Sequence, residues 1–88
     1  MLEIFVTKTF QELYRELPKT IRRKADSKTQ IFRQNPFHPS LQTKKLEPHH
    51  KEIWSFWVDK DHRIKFRFIS SNEVHLLYIG NRKDIYRR

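Results

Sequence analysis

The sequence predicts an α+β fold in which two N-terminal helices pack on one face of a small, mostly antiparallel four-stranded sheet. Three observations support this prediction. A short β-prone run opens the chain, two helical segments follow, and three strand-like runs joined by short turns complete it. Consecutive helices laid on one face of such a sheet form an α+β layout. The predicted order is β-α-α-β-β-β, in one domain spanning residues 1–88.

The N-terminal segment is predicted to be a strand followed by an amphipathic helix. Residues 2–6 (LEIFV) are β-prone and typical of an edge or terminal strand. Thr9 and Glu12 have the spacing of a capping box. One helix face follows at Phe10, Leu13, Tyr14 and Leu17. Pro18 ends this helix, because proline lacks a backbone donor and restricts the residue before it.

A second helix is predicted from Lys19 to about Gln34, a segment without a helix breaker. It is strongly basic, and its apolar face is Ile21, Ala25, Ile31 and Phe32. Residues 35–40 contain two prolines and are predicted to form a loop. Leu41 and Leu46 are then expected to pack against the core.

Three strands are predicted at residues 53–58, 63–69 and 74–79, joined by turns. In the middle strand, basic and apolar residues alternate strictly. Successive side chains of a strand point to opposite faces, so this strand has one apolar face, in the core, and one cationic face. The cationic residues are Arg63, Lys65 and Arg67, and the apolar ones are Ile64, Phe66 and Phe68.

Composition restricts the class of partner. Lys and Arg outnumber Asp and Glu by 19 to 10, which gives a formal charge of +9 and a pI near 10.2. This balance favours nucleic acid or an acidic protein as partner. A membrane-surface helix fits less well, because the charges are spread along the whole chain. We expect a cytoplasmic protein, since no run approaches about 20 apolar residues and the N-terminus lacks a signal-peptide pattern.

Several kinds of site are excluded or disfavoured. Cysteine is absent, so disulfides and thiolate metal sites are impossible. A single glycine excludes a phosphate-binding glycine loop, and no G-x-S-x-G motif or carboxylate pair is evident. His49 and His50 are adjacent and have no acidic partner at ligand spacing. We therefore predict no metal, no cofactor and no small-molecule ligand.

The remaining chemistry is a set of Arg, Lys, His and Tyr side chains. RNA cleavage through the ribose 2′-OH needs a proton acceptor, cations for the charge on the phosphate, and an acid for the leaving oxygen. Arg63 and Arg82 are candidates for the fixed charge, and Tyr86 for stacking on a base or donating a hydrogen bond. His62 is a candidate for proton transfer, because imidazoles exchange protons near neutral pH. The alternatives are a solvated basic strand and a turn histidine in water.

Three segments resemble the RelE/ParE superfamily, the toxins of bacterial type II toxin–antitoxin systems. They are Asn35-Pro36-x-x-Pro39-x-Leu41-x-x-Lys44-Lys45-Leu46, Trp57-x5-Arg63-Ile64 and Ile79-Gly80-x-Arg82-Lys83-Asp84-Ile85-Tyr86. The resemblance spans essentially the full length and follows the predicted order of elements. It implies a compact toxin that, in the RelE branch, enters the A site of the small ribosomal subunit and cuts messenger RNA.

The resemblance also implies roles for individual residues. Arg63 matches the mid-sheet arginine that contacts the scissile phosphate. Arg82 matches the arginine that stabilises the phosphate or protonates the leaving group, and Tyr86 matches the C-terminal tyrosine that orients the substrate. Further RNA contacts are expected from Lys44, Lys45, Lys60, Lys65, Arg67 and Lys83.

One strand departs from the family pattern. RelE-type enzymes carry lysines on the strand before the mid-sheet arginine, and those positions fall on or beside Trp54 and Phe56. Neither aromatic side chain accepts a proton, so the family's general base does not carry over. The possible substitutes are Lys44, Lys45, Lys60, Lys65 and His62, and the sequence does not choose among them.

Three functions stay open from the sequence. The first is a toxin with ribosome-dependent endoribonuclease activity, which the basic sheet face favours. The second is a ParE-like inhibitor of DNA gyrase, and the third is a basic RNA-binding domain without toxicity. Both toxin functions imply an antitoxin whose acidic or amphipathic segment covers the basic surface and the exposed apolar positions.

Overall fold

A computed structural model of the chain describes residues 1–46 and 52–85. The described elements are β1 (Glu3–Val6), α1 (Lys8–Glu16), α2 (Lys19–Gln34), a 3₁₀ turn (Pro39–Leu41), β2 (Lys44–Lys45), β3 (Trp54–Trp57), β4 (His62–Phe68) and β5 (Glu73–Asn81). The predicted α+β class is confirmed. None of the helices in the described ranges is long and apolar enough to cross a membrane.

The sheet has five strands in the order β1-β5-β4-β3-β2. β1 runs parallel to β5, and the other neighbours are antiparallel. The prediction of four strands is wrong by one, because Lys44 and Lys45 pair with Ser55 and Trp54. Two residues are too few to show the alternation by which a strand is recognised in sequence.

The first helix begins two residues earlier than its capping-box pattern predicts. Thr7 is the N-cap, and its Oγ1 accepts a hydrogen bond from the Phe10 amide at 3.1 Å. The same hydroxyl donates to the Leu77 carbonyl oxygen at 3.2 Å, which attaches the start of α1 to β5. Thr7 is positioned for this second bond because it directly follows β1, which pairs with β5. The helix ends before Pro18, as predicted.

The core between the helices and the sheet is largely aromatic. Phe32 of α2 stacks on Phe56 of β3, with ring centroids 4.5 Å apart, and meets Phe66 of β4 edge-on at 4.7 Å. All three side chains are fully buried. Large rings bury much area from few positions, which suits a small domain with few apolar residues. The predicted core placement of Ile64 and Phe66 is confirmed, and Phe68 packs at the margin.

A register shift between β4 and β5 changes which face the side chains of β5 occupy. Lys65 pairs with Tyr78, whereas Phe66 pairs with Leu76, so Leu77 has no directly opposed residue on β4. One extra residue reverses the alternation along a strand. Leu76 therefore lies in the core, while Tyr78 lies on the face away from the helices.

Gly80 has a close steric neighbour on its own strand. A Cβ added there would stand 2.7 Å from Tyr78 Oη and 2.9 Å from Tyr78 Cε1. Tyr78 is buried, so its ring has little room to move. We expect Gly80→Ala to lower the free energy of unfolding by about 1–3 kcal/mol, measured by urea denaturation. In a Tyr78→Leu background the same substitution should cost clearly less, and an equal cost in both backgrounds would contradict the steric explanation.

Candidate active site

The sheet face away from the helices carries two rows of side chains whose positions follow from the strand register. Directly paired residues lie side by side on the same face. The first row is Gly80, Arg63 and Trp57, and the second is Tyr78, Lys65, Ser55 and Lys44. We call this surface the basic face. It brings together residues from β2, β3, β4 and β5.

Arg63 is held firmly on the basic face. Its Nη1 donates to the main-chain oxygens of Asp59 at 2.7 Å and of His62 at 3.0 Å. Its guanidinium carbon lies 4.1 Å from the centroid of the Trp57 ring, within the range of a cation–π contact. Only 9% of Arg63 is exposed. The alternative of a solvated basic strand therefore does not hold for Arg63, because the ring and the turn carbonyls replace water around it.

Lys65 is likewise buried, at 6% exposure. Its Nζ donates to the Ile85 carbonyl oxygen at 2.9 Å and lies 4.9 Å from the centroid of the Tyr78 ring. A buried ammonium requires such partners, because leaving water costs it solvation. Ile85 is buried too, so Lys65 attaches the segment after β5 to the basic face. The structure places Lys65 beneath this segment, whereas Arg67 is exposed.

Arg82 reaches the basic face through a tight turn after β5. The Asn81 side-chain oxygen accepts from the Lys83 amide at 2.9 Å, and the Asn81 carbonyl accepts from the Asp84 amide at 2.9 Å. The Arg82 amide donates to the Asp61 carbonyl at 2.7 Å. The backbone of Arg82 is therefore attached to the turn between β3 and β4, which also binds the Arg63 guanidinium.

These elements surround an open pocket of about 320 Å³. Its lining residues are Lys44, Trp57, Arg63, Arg82, Lys83 and Ile85. Four of these six residues are cationic, so the pocket attracts anions and a phosphate group in particular. A larger groove of about 610 Å³ lies between the helices and β1, but its charges are of mixed sign, with Asp26 beside Arg15 and Arg33. The convergence of charge therefore favours the smaller pocket as the site.

The structure does not bring His62 into this pocket. His62 precedes Arg63 on the strand, so the two side chains point to opposite faces. The His62 Nδ1 lies 3.0 Å from Asp59 Oδ1. This pairing orients the imidazole toward the turn, away from the residues that line the pocket.

The other predicted site residues have separate positions. Lys45 faces the side opposite Lys44, and its Nζ lies 3.9 Å from Glu52 Oε1. Lys60 is exposed in the turn between β3 and β4. Tyr86 lies outside the described residues, as do His49 and His50.

Sequence reasoning did not identify two residues that shape the pocket, Trp57 and Asp59. Trp57 stands in one of the motifs that carry the family resemblance, but no role was predicted for it. Its pairing with Arg63 depends on the β3–β4 register. Asp59 stands four residues before Arg63, at the start of the turn. Asp59 could have been recognised in the sequence as a turn-forming aspartate that shortly precedes a basic strand.

Lys65→Met should loosen the segment 82–85. The substitution keeps an apolar stem but removes the donor to the Ile85 carbonyl, and a hydrogen bond from a charged group is worth about 1.5–3 kcal/mol. We expect amide exchange in residues 82–85 to accelerate by about tenfold or more, measured by mass spectrometry. Arg67→Met, on the same strand but exposed, is the matched control and should leave these rates unchanged. Identical exchange in Lys65→Met and the parent chain would show that Lys65 does not hold the segment.

The fold of this chain was compared with those of known proteins. No protein-family model matches the chain, and no curated protein matches it in sequence. Solved structures do match. YafQ from E. coli strain BL21(DE3) is 12% identical with a TM-score of 0.79, covering 98% of this chain and 99% of that one.

Several matching structures are toxin–antitoxin complexes. In RelBE2 from Mycobacterium tuberculosis, the matching chain is 17% identical with a TM-score of 0.78, covering 92% of this chain and 98% of that one. In the archaeal RelE–RelB complex from Pyrococcus horikoshii, the matching chain is 16% identical with a TM-score of 0.74, and the match covers 92% of this chain and 94% of that one. The chain therefore has the fold of RelE/ParE superfamily toxins, as its sequence resemblance predicts.

Proposed function

We propose that this chain is the toxin of a type II toxin–antitoxin system and that it stops translation by cutting messenger RNA on the ribosome. The observation that carries the proposal is the convergence of Arg63 and Arg82 in one cationic pocket. These are the two arginines that the family resemblance associates with the scissile phosphate. The shared fold supports the same conclusion.

The proposed reaction is an attack of a ribose 2′-oxygen on the adjacent phosphorus. The bond from the 2′-oxygen to phosphorus forms as the bond from phosphorus to the 5′-oxygen breaks, which leaves a 2′,3′-cyclic phosphate and a 5′-hydroxyl. A base takes the 2′-OH proton, and an acid supplies a proton to the 5′-oxygen. Negative charge develops on the phosphate oxygens in the transition state, and fixed cations stabilise this charge.

Arg63 and Arg82 have complementary parts in this reaction. Arg63 is preorganised by the Trp57 ring and two carbonyl oxygens, so little rearrangement accompanies its binding of the phosphate. Arg82 is exposed on a turn whose backbone is fixed, and it approaches the phosphate from the C-terminal side of the pocket. There it stabilises the phosphate or protonates the leaving oxygen.

Lys44 is the amine that the geometry favours for proton transfer. Of the five possible substitutes for the strand lysines of the family, Lys44 lines the pocket. Lys65 is bound to the Ile85 carbonyl, and His62 faces Asp59. β3 presents Ser55 to the basic face beside Lys44, so this strand supplies no amine.

The proposal includes an antitoxin partner. The matched M. tuberculosis and P. horikoshii structures are complexes of this kind. In this chain, the cationic pocket offers a surface to carboxylates, and the exposed Phe5 and Val6 of β1 offer one to apolar side chains. An acidic, amphipathic segment has the chemistry to cover both.

A ParE-like action on DNA gyrase is the second candidate. One observation favours it: β3 presents Ser55 and Trp57 to the basic face, where a nuclease of the RelE branch carries lysine. Inhibition of supercoiling by the purified chain, with translation unaffected, would support this function over RNA cleavage. Binding of RNA without cleavage or toxicity would support a plain RNA-binding domain.

Arg82→Ala tests the nuclease proposal. The side chain is exposed, so its removal should leave the fold unchanged by circular dichroism. Loss of one cation at the phosphate should slow cleavage by about 10²–10³-fold. The measurement is primer extension on a message bound to purified ribosomes, with Arg23→Ala, an exposed position on α2, as the control for loss of an exposed charge. An intact message with the parent chain, or equal cleavage by Arg82→Ala, would overturn the proposal.

Lys44 and Lys45 form a matched pair of neighbours on opposite faces of the same strand. If Lys44 transfers the proton, Lys44→Ala should slow cleavage by about 10²-fold or more in the same assay. Lys45→Ala removes an equal charge from the other side and should change the rate little. Equal losses for the two variants would indicate general attraction of RNA rather than proton transfer by Lys44.

A further inference from the structure

Asp59 lies at the centre of the hydrogen bonds that define the turn between β3 and β4. Its Oδ1 accepts from the Asp61 amide at 2.9 Å and from the His62 amide at 2.8 Å. The His62 Nδ1 stands 3.0 Å from the same oxygen. On the other side, Lys24 Nζ of α2 lies 3.5 Å from Asp59 Oδ2. The Asp59 carboxylate thus binds two peptide N–H groups of the turn and the His62 imidazole, and it forms an ion pair with α2.

The peptide groups fixed in this way are Lys60–Asp61 and Asp61–His62, which include or directly adjoin the carbonyls that hold the two pocket arginines. The Asp59 and His62 carbonyls accept from Arg63 Nη1, and the Asp61 carbonyl accepts from the Arg82 amide. The His62 carbonyl also accepts from the Val58 amide at 3.0 Å, which closes the turn. The orientation of these carbonyls therefore depends on the same short segment that the Asp59 carboxylate organises.

We propose that Asp59 is a positioning residue that sets the Arg63 guanidinium and the Arg82 backbone in the pocket through the peptide groups of the turn. Asp59 itself lies on the side of the turn that faces α2, with His62 as its partner. The effect of Asp59 on catalysis rests on the nuclease function proposed above. Its effect on the position of Arg63 does not, and can be measured without RNA.

The charge of Asp59 is favoured in the folded protein. Burial raises the pKa of Asp59, but hydrogen bonds from the Asp61 amide and from the side chain and amide of His62 outweigh it and hold the pKa below its ordinary value. The titratable groups that face the carboxylate are the His62 imidazole on β4 and the Lys24 amine on α2. A carboxyl whose pKa is lower in the folded than in the unfolded state adds stability above about pH 4, and this is lost as the pH falls through the folded-state value.

The position of Arg63 can be observed directly by NMR, because its guanidinium lies against an aromatic ring. Ring currents of Trp57 should shift the Arg63 side-chain resonances, which Arg63→Lys identifies by their disappearance. In Asp59→Ala we expect these resonances to move toward the values of a solvated arginine. Asp59→Asn keeps an acceptor for the two turn amides and should show a smaller displacement.

A pH titration gives a second test of the same role. In the parent chain the Arg63 resonances should shift as Asp59 is protonated below about pH 4, and Asp59→Asn should lack this titration.

The matched control is Val74→Ala, a fully buried position that pairs with Phe68 at the other end of β5. It lowers global stability without touching the turn, so it should leave the Arg63 resonances in place. Unchanged resonances in Asp59→Ala, or equal displacement in Val74→Ala, would overturn the proposal. If Asp59→Ala does not fold, Asp59→Asn and the pH titration of the parent chain still show whether Asp59 positions Arg63.

Cleavage on ribosomes separates this proposal from the nuclease proposal. We expect Asp59→Ala to lower the cleavage rate by about tenfold or more, with Asp59→Asn between it and the parent chain. If the parent chain does not cleave RNA but the Arg63 resonances respond to Asp59, the nuclease function is wrong and the positioning role stands. If Arg63 is displaced and cleavage is undiminished, Asp59 does not position a catalytic group.

Discussion

The rest of this structure depends on the register shift between β4 and β5. Beyond Leu77, the alternation of β5 reverses, so that Leu76 and Ile79 enter the core while Tyr78 and Gly80 lie on the basic face. Without the extra residue, a tyrosine ring would enter the core and an aliphatic side chain would take its place beneath Lys65. A single unpaired residue thus allows one thin sheet to support an aromatic core on one side and a cationic pocket on the other.

The cations of the basic face are part of the packed structure. Arg63 and Lys65 are both desolvated, and each is compensated by main-chain oxygens and an aromatic face. Across residues 1–46 and 52–85, every buried side-chain nitrogen or oxygen has a hydrogen-bond partner. A charge held in this way keeps its direction when a substrate arrives, whereas an exposed lysine must first be ordered. Arg63, which is buried, therefore has a fixed side-chain direction, whereas the exposed side chain of Arg82 can adjust its position.

Much of the fold could be predicted from local pattern. The helix ended by Pro18 and the alternation along residues 63–68 identified the helical pair and the central strand. The pairing of β2, the choice of Thr7 over Thr9 as helix cap, and the burial of Arg63 could not be predicted. Each depends on a partner distant in sequence or on a one-residue change of register, which no local window contains. For the candidate site, residue chemistry and the family resemblance both predicted Arg63 and Arg82, which line the same pocket, while the direction of His62 required the strand to be placed.

The pairing of β1 with β5 has a consequence for how the pocket forms. Ile4 is paired with Val74, and the Thr7 hydroxyl bonds to the Leu77 carbonyl, so β1 cannot complete its pairing until β5 has been synthesised. Contacts of such long sequence separation close late and slow the folding of small domains. β5 also carries the turn that delivers Arg82. The complete sheet and the pocket therefore both depend on β5, so neither can form from β1, α1 and α2 alone.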